Sequence, residues 1–294
     1  MIGAGDLAAF EAARPSLRSL AYRILGSVAE AEDAVQDTFL RWQAADRAAI
    51  ASPQAWLTTV CTRRCLDLLK AADRARVDYV GPWLPEPVQT TTADAPGELA
   101  ASVTTAFLLL LDRLTPKERA AYLLREIFDQ DYAEVAAALG IQEAACRKLV
   151  SRAQAAIRQG KARQPVPAAQ QERLLDAFQL AVNSGTTAPL SALLAGDIAL
   201  TADGGGKVPA ATRVLRGRDE VLPFITRVLG SAWPKWRQER REINGVLGLV
   251  LYEEDAIRAV LTFGYDAAGA LEDIYIMRNP EKFGGLVAGP MALH

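Results

Sequence analysis

The sequence predicts a multidomain protein in which two all-α helical domains precede a C-terminal α+β domain with a curved antiparallel sheet. Apolar residues recur with a helical period over residues 7–72 and again over 98–162. After a short second linker, "RQPVPAAQ", the pattern changes to strand-like runs. The runs "VLGLVLY", "AIRAVLTFGY" and "LEDIYIMR" have the spacing of an antiparallel meander.

Composition limits the classes of protein that fit. The chain has 294 residues, a net charge of -2 and 50% hydrophobic residues, which predicts a globular protein with ordinary cores. It contains no apolar run near the roughly 20 residues of a membrane span and no secretory pattern, so we expect a cytoplasmic protein without a membrane partner. The single histidine is His294, which strongly disfavours a catalytic imidazole or a zinc site with histidine ligands. We expect no metal and no cofactor.

The first helical domain is predicted over residues 1–79. Cys61 and Cys65 are four residues apart and share a helical stripe with Leu57, which predicts buried core thiols. Two more helices are indicated by apolar positions at a 3.6-residue period. These positions are Leu17, Leu20, Ala21, Ile24 and Leu25 in one segment, and Val35, Phe39 and Trp42 in the next.

A linker is predicted over residues 80–97, "VGPWLPEPVQTTTADAPG", because four prolines and two glycines disfavour regular structure. An ordinary spacer is one interpretation. Trp83 and Leu84, followed by Pro85, are unusual for a spacer, because apolar anchors normally dock on a surface.

The second helical domain, predicted over residues 98–163, has a helix-turn-helix pattern. One helix ends at Leu139, Gly140 forms the turn, and a longer helix starts at Gln142 or Glu143. Six basic residues and no acidic residue lie between Ala144 and Arg163. On the longer helix we expect Ala145, Leu149, Ala153 and Ile157 to point inward, and Arg147, Lys148, Ser151 and Arg152 to form the opposite face. This face suits phosphates and base edges in a major groove, although a solvated amphipathic helix would have the same pattern.

The C-terminal domain, predicted over residues 164–294, contains the glycine-rich stretch "TADGGGKVPA". A phosphate loop would need a glycine in place of Thr201 and a hydroxyl residue in place of Val208, so nucleotide binding is disfavoured. A hairpin turn is the simplest interpretation. Asp203 and Lys207 flank Gly204, Gly205 and Gly206 and could contact a partner surface.

Several motifs together resemble a known family. The segment "GSVAEAEDAVQDTFLRW" resembles region two of extracytoplasmic-function (ECF) sigma factors, and "LTPKERAAYLLREIFDQDYAEVAAALGIQEAACRKLVSRA" resembles region four. The linker "GPWLPEP", the loop "DGGGK" and the late "RNPEKF" are similar to the sigma-J-like subgroup, which carries a SnoaL-like C-terminal domain. The resemblance implies a cone-shaped α+β domain around an apolar pocket.

The resemblance also implies partners and residue roles. The partners are promoter DNA and core RNA polymerase, through the coiled coil of its largest subunit and its flap, and we expect a monomer when free. The polymerase-binding positions are Asp33, Gln36, Asp37, Phe39 and Trp42, where acidic groups suit a basic partner helix. Arg63, Arg64 and Lys70 would bind the -10 element. Arg147, Lys148, Ser151 and Arg152 would read the -35 element, with Gln142 as a weaker helix cap than the usual Ser or Thr.

The role of the C-terminal domain leaves alternatives open. Some SnoaL-like domains are enzymes, and acid or base groups remain at Asp203, Asp273, Tyr252, Tyr265 and Tyr275. Because the domain has no internal histidine, we expect regulation by a fused domain at high effective concentration rather than catalysis. The regulatory contact is predicted between the linker or the first helical domain and two segments, Asp203 to Lys207 and Asn279, Pro280, Glu281 and Lys282. An unidentified small ligand could bind the pocket.

Two other classes of function fit parts of the sequence. An autonomous ligand-sensing helix-turn-helix regulator would use the same recognition helix, but it has no need of "AEDAVQDTFLRW" and usually dimerises on a palindrome. An enzyme with a DNA-binding leader is the third alternative.

Overall fold

The computed structural model describes residues 3–75, 78–90, 103–159 and 166–286. The chain forms two compact units, Met1–Asp78 with Leu110–Gly160, and Tyr79–Leu109 with Lys161–His294. We call them the helical unit and the C-terminal unit. The end of the predicted linker (residues 91–97), the predicted boundary at 163 and 164, and His294 lie outside the described residues. In the described part of the chain, no helix combines the length and apolar composition needed to cross a membrane.

Three long helices open the helical unit. They are α1 (Ala4–Leu25), α2 (Val28–Ala44) and α3 (Pro53–Ala75). Gly26, in the left-handed conformation, ends α1, and the Ser27 hydroxyl caps α2 by accepting from the Glu30 amide. The predicted stripe of α1 is buried, as are Cys61 and Cys65 of α3.

Four shorter helical segments follow in the second half of the helical unit. They are α4 (Thr105–Asp112), which begins in the C-terminal unit, α5 (Pro116–Tyr122), α6 (Tyr132–Leu139) and α7 (Glu143–Gln159). Gly140 has φ 62° and ψ 45° between α6 and α7, so the predicted helix-turn-helix is present.

The inward face of α7 differs from the predicted one. Cys146, Val150 and Ala153 are buried, whereas Ala145 is exposed and Leu149 and Ile157 are half-buried. The prediction followed alanine and leucine. Ala153 is buried as predicted, but Cys146 and Val150 take the place of Ala145 and Leu149 in the core, where Cys146 acts as a small apolar side chain.

Arg119 of α5 links several backbone groups inside the helical unit. Its side chain is buried and donates to the carbonyl oxygens of Leu111 (2.9 Å) and Ile24 (2.6 Å). Its Nη2 also lies 2.8 Å from the Asp112 carboxylate. One guanidinium thus donates to carbonyl groups near the ends of α1 and α4, where the helix leaves carbonyls without partners from the next turn; the Leu111 carbonyl also accepts from the Leu114 amide at 3.0 Å.

The C-terminal unit combines helices with a six-stranded sheet. The helices are α8 (Ala168–Ser184), α9 (Ala188–Leu193) and α10 (Arg218–Pro223), the last continued by a π-helical turn over Phe224–Leu229. The strands are β1 (Leu194–Asp203), β2 (Leu215–Arg216), β3 (Arg237–Ile243), β4 (Val246–Glu253), β5 (Ala256–Tyr265) and β6 (Leu271–Met277). The strand order is β2-β1-β6-β5-β4-β3.

The sheet is mixed, which modifies the predicted antiparallel arrangement. Strands β4 to β6 form the predicted meander, and β3, which the sequence did not predict, pairs antiparallel with β4. Strand β1, however, pairs in parallel with β6, placing Asp203 beside Met277 at the end of both strands. The sequence does not show this pairing because the two strands are far apart along the chain.

Two hydrophobic clusters cover the two faces of the sheet, with side chains alternating along each strand. One cluster contains Leu249 and Leu251 and packs on Phe178 of α8. The other contains Val250 and Tyr252 together with Leu84 of the predicted linker and Ala106 of α4. The first half of the linker is therefore part of the C-terminal unit. The interpretation of this segment as an ordinary spacer is wrong.

Replacement of Arg119 by methionine should lower the free energy of unfolding of the helical unit by about 3 kcal/mol, because the buried hydrogen bonds from Arg119 to two carbonyl groups and its ion pair with Asp112 are lost together. The measurement is urea unfolding followed by circular dichroism. The exposed Arg113→Met is the matched control and should change the stability by less than about 0.5 kcal/mol. Equal effects of the two variants would contradict the assigned role of Arg119.

Candidate functional site

The exposed face of α7 carries the residues predicted to read DNA. Arg147, Lys148, Ser151 and Arg152 are all exposed. Arg147 is ion-paired with Glu143 one turn earlier, and Arg152 Nε lies 2.7 Å from Glu118 Oε1. Lys161 and Arg163, which contributed to the predicted basic cluster, lie outside the described residues. The face is continuous and basic, but two of its arginines already have carboxylate partners.

The three basic residues predicted for the -10 element lie on α3. Lys70 is exposed and pairs with Asp67 at 3.0 Å. Arg64 Nε lies 2.5 Å from Asp37 Oδ2.

Arg63, the third of these residues, donates to α6 within the helical unit. Its Nε and Nη2 donate to the carbonyl oxygens of Ala138 (3.0 Å) and Ala137 (2.8 Å). These carbonyls belong to the last turn of α6, where the helix dipole favours a cation.

The predicted polymerase-binding residues of α2 differ in accessibility. Asp33 and Gln36 are exposed and Asp37 is partly exposed. Phe39 is half-buried, with its ring centroid 4.7 Å from that of Phe10.

Trp42 must be removed from the polymerase-binding set. It is 1% exposed, and its Nε1 donates to the Asp6 carbonyl at 2.9 Å. Its ring also packs against Trp56, with 5.5 Å between the centroids. The side chain holds α2 against the start of α1, so it cannot contact a partner directly.

A buried carboxylate organises the other candidate site, in the C-terminal unit. Asp203 is completely buried at the end of β1. Its Oδ1 accepts from the Tyr79 hydroxyl (2.6 Å) and the Gly205 amide (3.0 Å). Its Oδ2 accepts from the Leu84 amide (2.9 Å) and from Lys282 Nζ (2.8 Å). The carboxylate thus has four donors from three segments of the chain, which are the stretch with Tyr79 and Leu84, the glycine loop and the "NPEK" segment.

Lys282 and Asn279 complete this site, which we call the Asp203 cluster and define as Tyr79, Leu84, Asp203, Asn279 and Lys282. Lys282 also donates to the Leu84 carbonyl at 2.7 Å, and its ammonium lies 4.4 Å from the ring centroid of Trp83. Asn279 Nδ2 donates to the Tyr79 hydroxyl at 3.1 Å. Both are buried, so the late "NPEK" segment and the linker share one closed polar network.

The remaining residues predicted for this contact lie at its border. Pro85 is buried, whereas Pro280 and Glu281 are exposed. Lys207 pairs with Glu281 at 2.8 Å, with both side chains more than half exposed at 54% and 63%. Surface pairs of this kind contribute little to stability.

The glycine loop is a tight turn beside the Asp203 cluster. The amides of Lys207 and Val208 both donate to the Gly204 carbonyl, at 2.9 and 3.3 Å. Gly205 and Gly206 have positive φ values of 57° and 71°. A Cβ atom on Gly205 would lie 2.7 Å from Asn279 Cγ, so the backbone approaches this side chain closely.

Tyr79 is one of two residues of this region that the sequence did not indicate. It was assigned to the end of the first helical domain, and no motif distinguishes it. Burial and the hydrogen bond to Asp203 raise the pKa of its hydroxyl, so the group stays protonated and can donate. Asn244 was also missed; its backbone and side chain bond the linker at Val88.

The tyrosines among the acid and base candidates are divided between the two hydrophobic clusters. Asp203 is paired with Lys282, while Tyr252 and Tyr275 belong to the hydrophobic cluster that contains Leu84. Tyr265 belongs to the cluster on the opposite face, where burial raises the pKa of its hydroxyl.

Three aromatic side chains pack together in the hydrophobic cluster that contains Leu249 and Leu251. Phe178 packs against Trp233 and Phe263, with centroids 6.2 and 5.8 Å apart. Binding of a small ligand there stays a prediction.

Comparisons with known proteins agree with this arrangement. Residues 9–75 match the family model of Sigma-70 region 2, and residues 104–157 match that of Sigma-70, region 4. The chain is 38% identical to the ECF RNA polymerase sigma factor SigJ of Mycobacterium tuberculosis over 95% of its length and 94% of the relative. It is 30% identical to a probable ECF RNA polymerase sigma factor, SigI, of the same species, covering 96% of both chains.

A solved structure extends the similarity to the C-terminal unit. The crystal structure of Mycobacterium tuberculosis SigJ superimposes with a TM-score of 0.74 at 34% identity, over 95% of this chain and 98% of that one. The two helical segments thus define a protein of the sigma-70 class. The chain belongs to the ECF RNA polymerase sigma factors, and the predicted fold class, with a SnoaL-like C-terminal domain, is confirmed.

Gly205→Ala should destabilise the C-terminal unit more than Gly185→Ala does. Both glycines have positive φ, 57° and 76°, so both variants lose about 1 kcal/mol from backbone strain. Only at Gly205 does the added methyl group overlap Asn279, which should cost about 1–3 kcal/mol more. Urea unfolding of the full chain, followed by tryptophan fluorescence, measures the difference. Equal losses would contradict the close approach at Gly205.

Proposed function

We propose that this sigma factor directs promoter-specific transcription initiation and that the Asp203 cluster controls its activity in place of a separate anti-sigma protein. The observation that carries the proposal is the carboxylate of Asp203, which joins the linker, the glycine loop and the "NPEK" segment. The linker connects the two DNA-reading segments along the chain, so fixing one end of it limits the positions they can adopt.

The assigned DNA contacts follow from exposure and charge. Arg147, Lys148, Ser151 and Arg152 present donors on one helical face, suited to phosphates and base edges of the -35 element. Arg63, Arg64 and Lys70 are assigned to the -10 element. Arg63 must first release the carbonyls of Ala137 and Ala138, so promoter binding replaces internal hydrogen bonds.

Core RNA polymerase is the proposed protein partner, in the cytoplasm. Asp33, Gln36 and Asp37 supply acidic and amide groups for a basic partner helix, and the partly exposed Phe39 supplies apolar area. Binding to the largest-subunit coiled coil and the flap follows from membership of the class and is part of the proposal.

Lys148→Ala should weaken promoter binding uniformly across sequences, because a lysine ammonium contacts phosphate as a point charge. In the complex with core polymerase, the slope of log affinity against log salt should decrease by about one. Binding titrations at several salt concentrations on a promoter chosen from a random library measure both quantities. An unchanged slope would contradict a phosphate contact at Lys148.

Lys282→Met should change promoter-specific transcription, whereas Lys207→Ala should not. Removing Lys282 leaves the Asp203 charge buried without its cation, at a cost of about 3–5 kcal/mol, which is sufficient to release the linker. Lys207 loses only an exposed pair. In vitro transcription with core polymerase is the measurement, and circular dichroism verifies that the helical unit remains folded. If the two variants transcribe alike, the cluster does not control activity.

A further inference from the structure

Arg147 of the helix-turn-helix and Arg125, which precedes it in the chain, share one aromatic ring. The guanidinium carbon of Arg147 lies 4.1 Å from the ring centroid of Tyr132, and that of Arg125 lies 5.0 Å from it. Both distances are within the range of a cation–π interaction. Tyr132 lies within the segment that resembles region four, but it was not among the residues assigned to DNA or polymerase binding. Both contacts are made with its ring.

The Tyr132 ring is held by the capped backbone of α6 on which it stands and by the side chain of Arg125. Tyr132 is the first residue of α6, where Asp131 and Glu134 form a capping box that fixes the local backbone. Arg125, on the same ring, is held by the hydrogen bond from its Nη1 to the Gln130 carbonyl at 2.8 Å. The ring is therefore a preorganised platform rather than a mobile surface side chain.

Arg147 is an exposed residue of α7 and is held by only two contacts that the structure describes, the ring of Tyr132 and the carboxylate of Glu143. The two contacts have different consequences for DNA binding. Glu143 occupies a donor of the guanidinium and repels phosphates. The ring attracts the cation through its face and leaves the planar N–H fork available, which a bidentate contact to guanine requires.

We propose that Tyr132 is a positioning residue for recognition of the -35 element, acting through Arg147. The proposal rests on the proposed function of α7 as the reader of that element. A free arginine side chain loses rotamer freedom when it is ordered on DNA, and stacking on Tyr132 removes part of that cost before binding. Tyr132 thereby increases selectivity at the base that Arg147 reads, without contacting DNA.

The test compares four forms of the full chain in complex with core polymerase. These are the wild type, Arg147→Ala, Tyr132→Leu and Tyr132→Phe. Each is incubated with a promoter library randomised over the -35 element, and bound sequences are counted. Tyr132→Leu should lose selectivity about 2- to 5-fold, as expected for one exposed cation–π contact, at the positions that Arg147→Ala affects. Tyr132→Phe keeps the aromatic face and should retain the wild-type profile.

The outcomes separate this inference from the proposed function. If Arg147→Ala alters the profile but Tyr132→Leu does not, or if Tyr132→Phe loses as much as Tyr132→Leu, the positioning role is overturned. The positioning role is also overturned if Tyr132→Leu loses selectivity equally at every position of the -35 element. It is overturned as well if a lower melting temperature of this variant accounts for the lost selectivity. If Arg147→Ala itself leaves the profile unchanged, the proposed role of Arg147 fails and the positioning role fails with it.

Discussion

Asp203 is a fully buried charge, and the organisation of the C-terminal unit around the linker depends on its four hydrogen bonds. A carboxylate removed from water is stable only when each oxygen has donors, and here they come from Tyr79, Leu84, Gly205 and Lys282. Replacing the network by apolar groups could leave stability unchanged. The network instead selects one position for the linker, because its donors converge only in that position.

In the helical unit, buried or partly buried arginine side chains donate to backbone carbonyls and so join segments of the chain. Arg119 satisfies buried carbonyls near the ends of two helices, whereas Arg63 satisfies carbonyls at the end of α6 and is also assigned to DNA. Under the proposed function, the arginines assigned to promoter contacts exchange internal partners for DNA. The net affinity is then a difference between internal bonds and bonds to DNA, and the internal bonds lower it by the same amount for every promoter.

Several sequence predictions differ from the structure for identifiable physical reasons. Strand β3, "RQERREI", was not predicted because an edge strand rich in charge lacks an apolar alternation. Trp42 was assigned to a partner surface because aromatic residues occur both in cores and in interfaces, and local sequence does not distinguish the two. On α7, Cys146 and Val150 are buried in place of the predicted Ala145 and Leu149, whereas Ala153 is buried as predicted.

The sequence by itself determined the long helices, the helix-turn-helix with its turn at Gly140, the strands β4 to β6 and the family, since each depends on local period or on a contiguous motif. It also identified Asp203, Lys282 and Leu84 as residues that belong together, through the resemblance. Only the tertiary structure decided that Tyr79 joins them, that β1 pairs in parallel with β6, and that Tyr132 supports Arg147. These contacts join segments separated along the chain, or side chains on different helices, and their geometry is set by packing rather than by local preference.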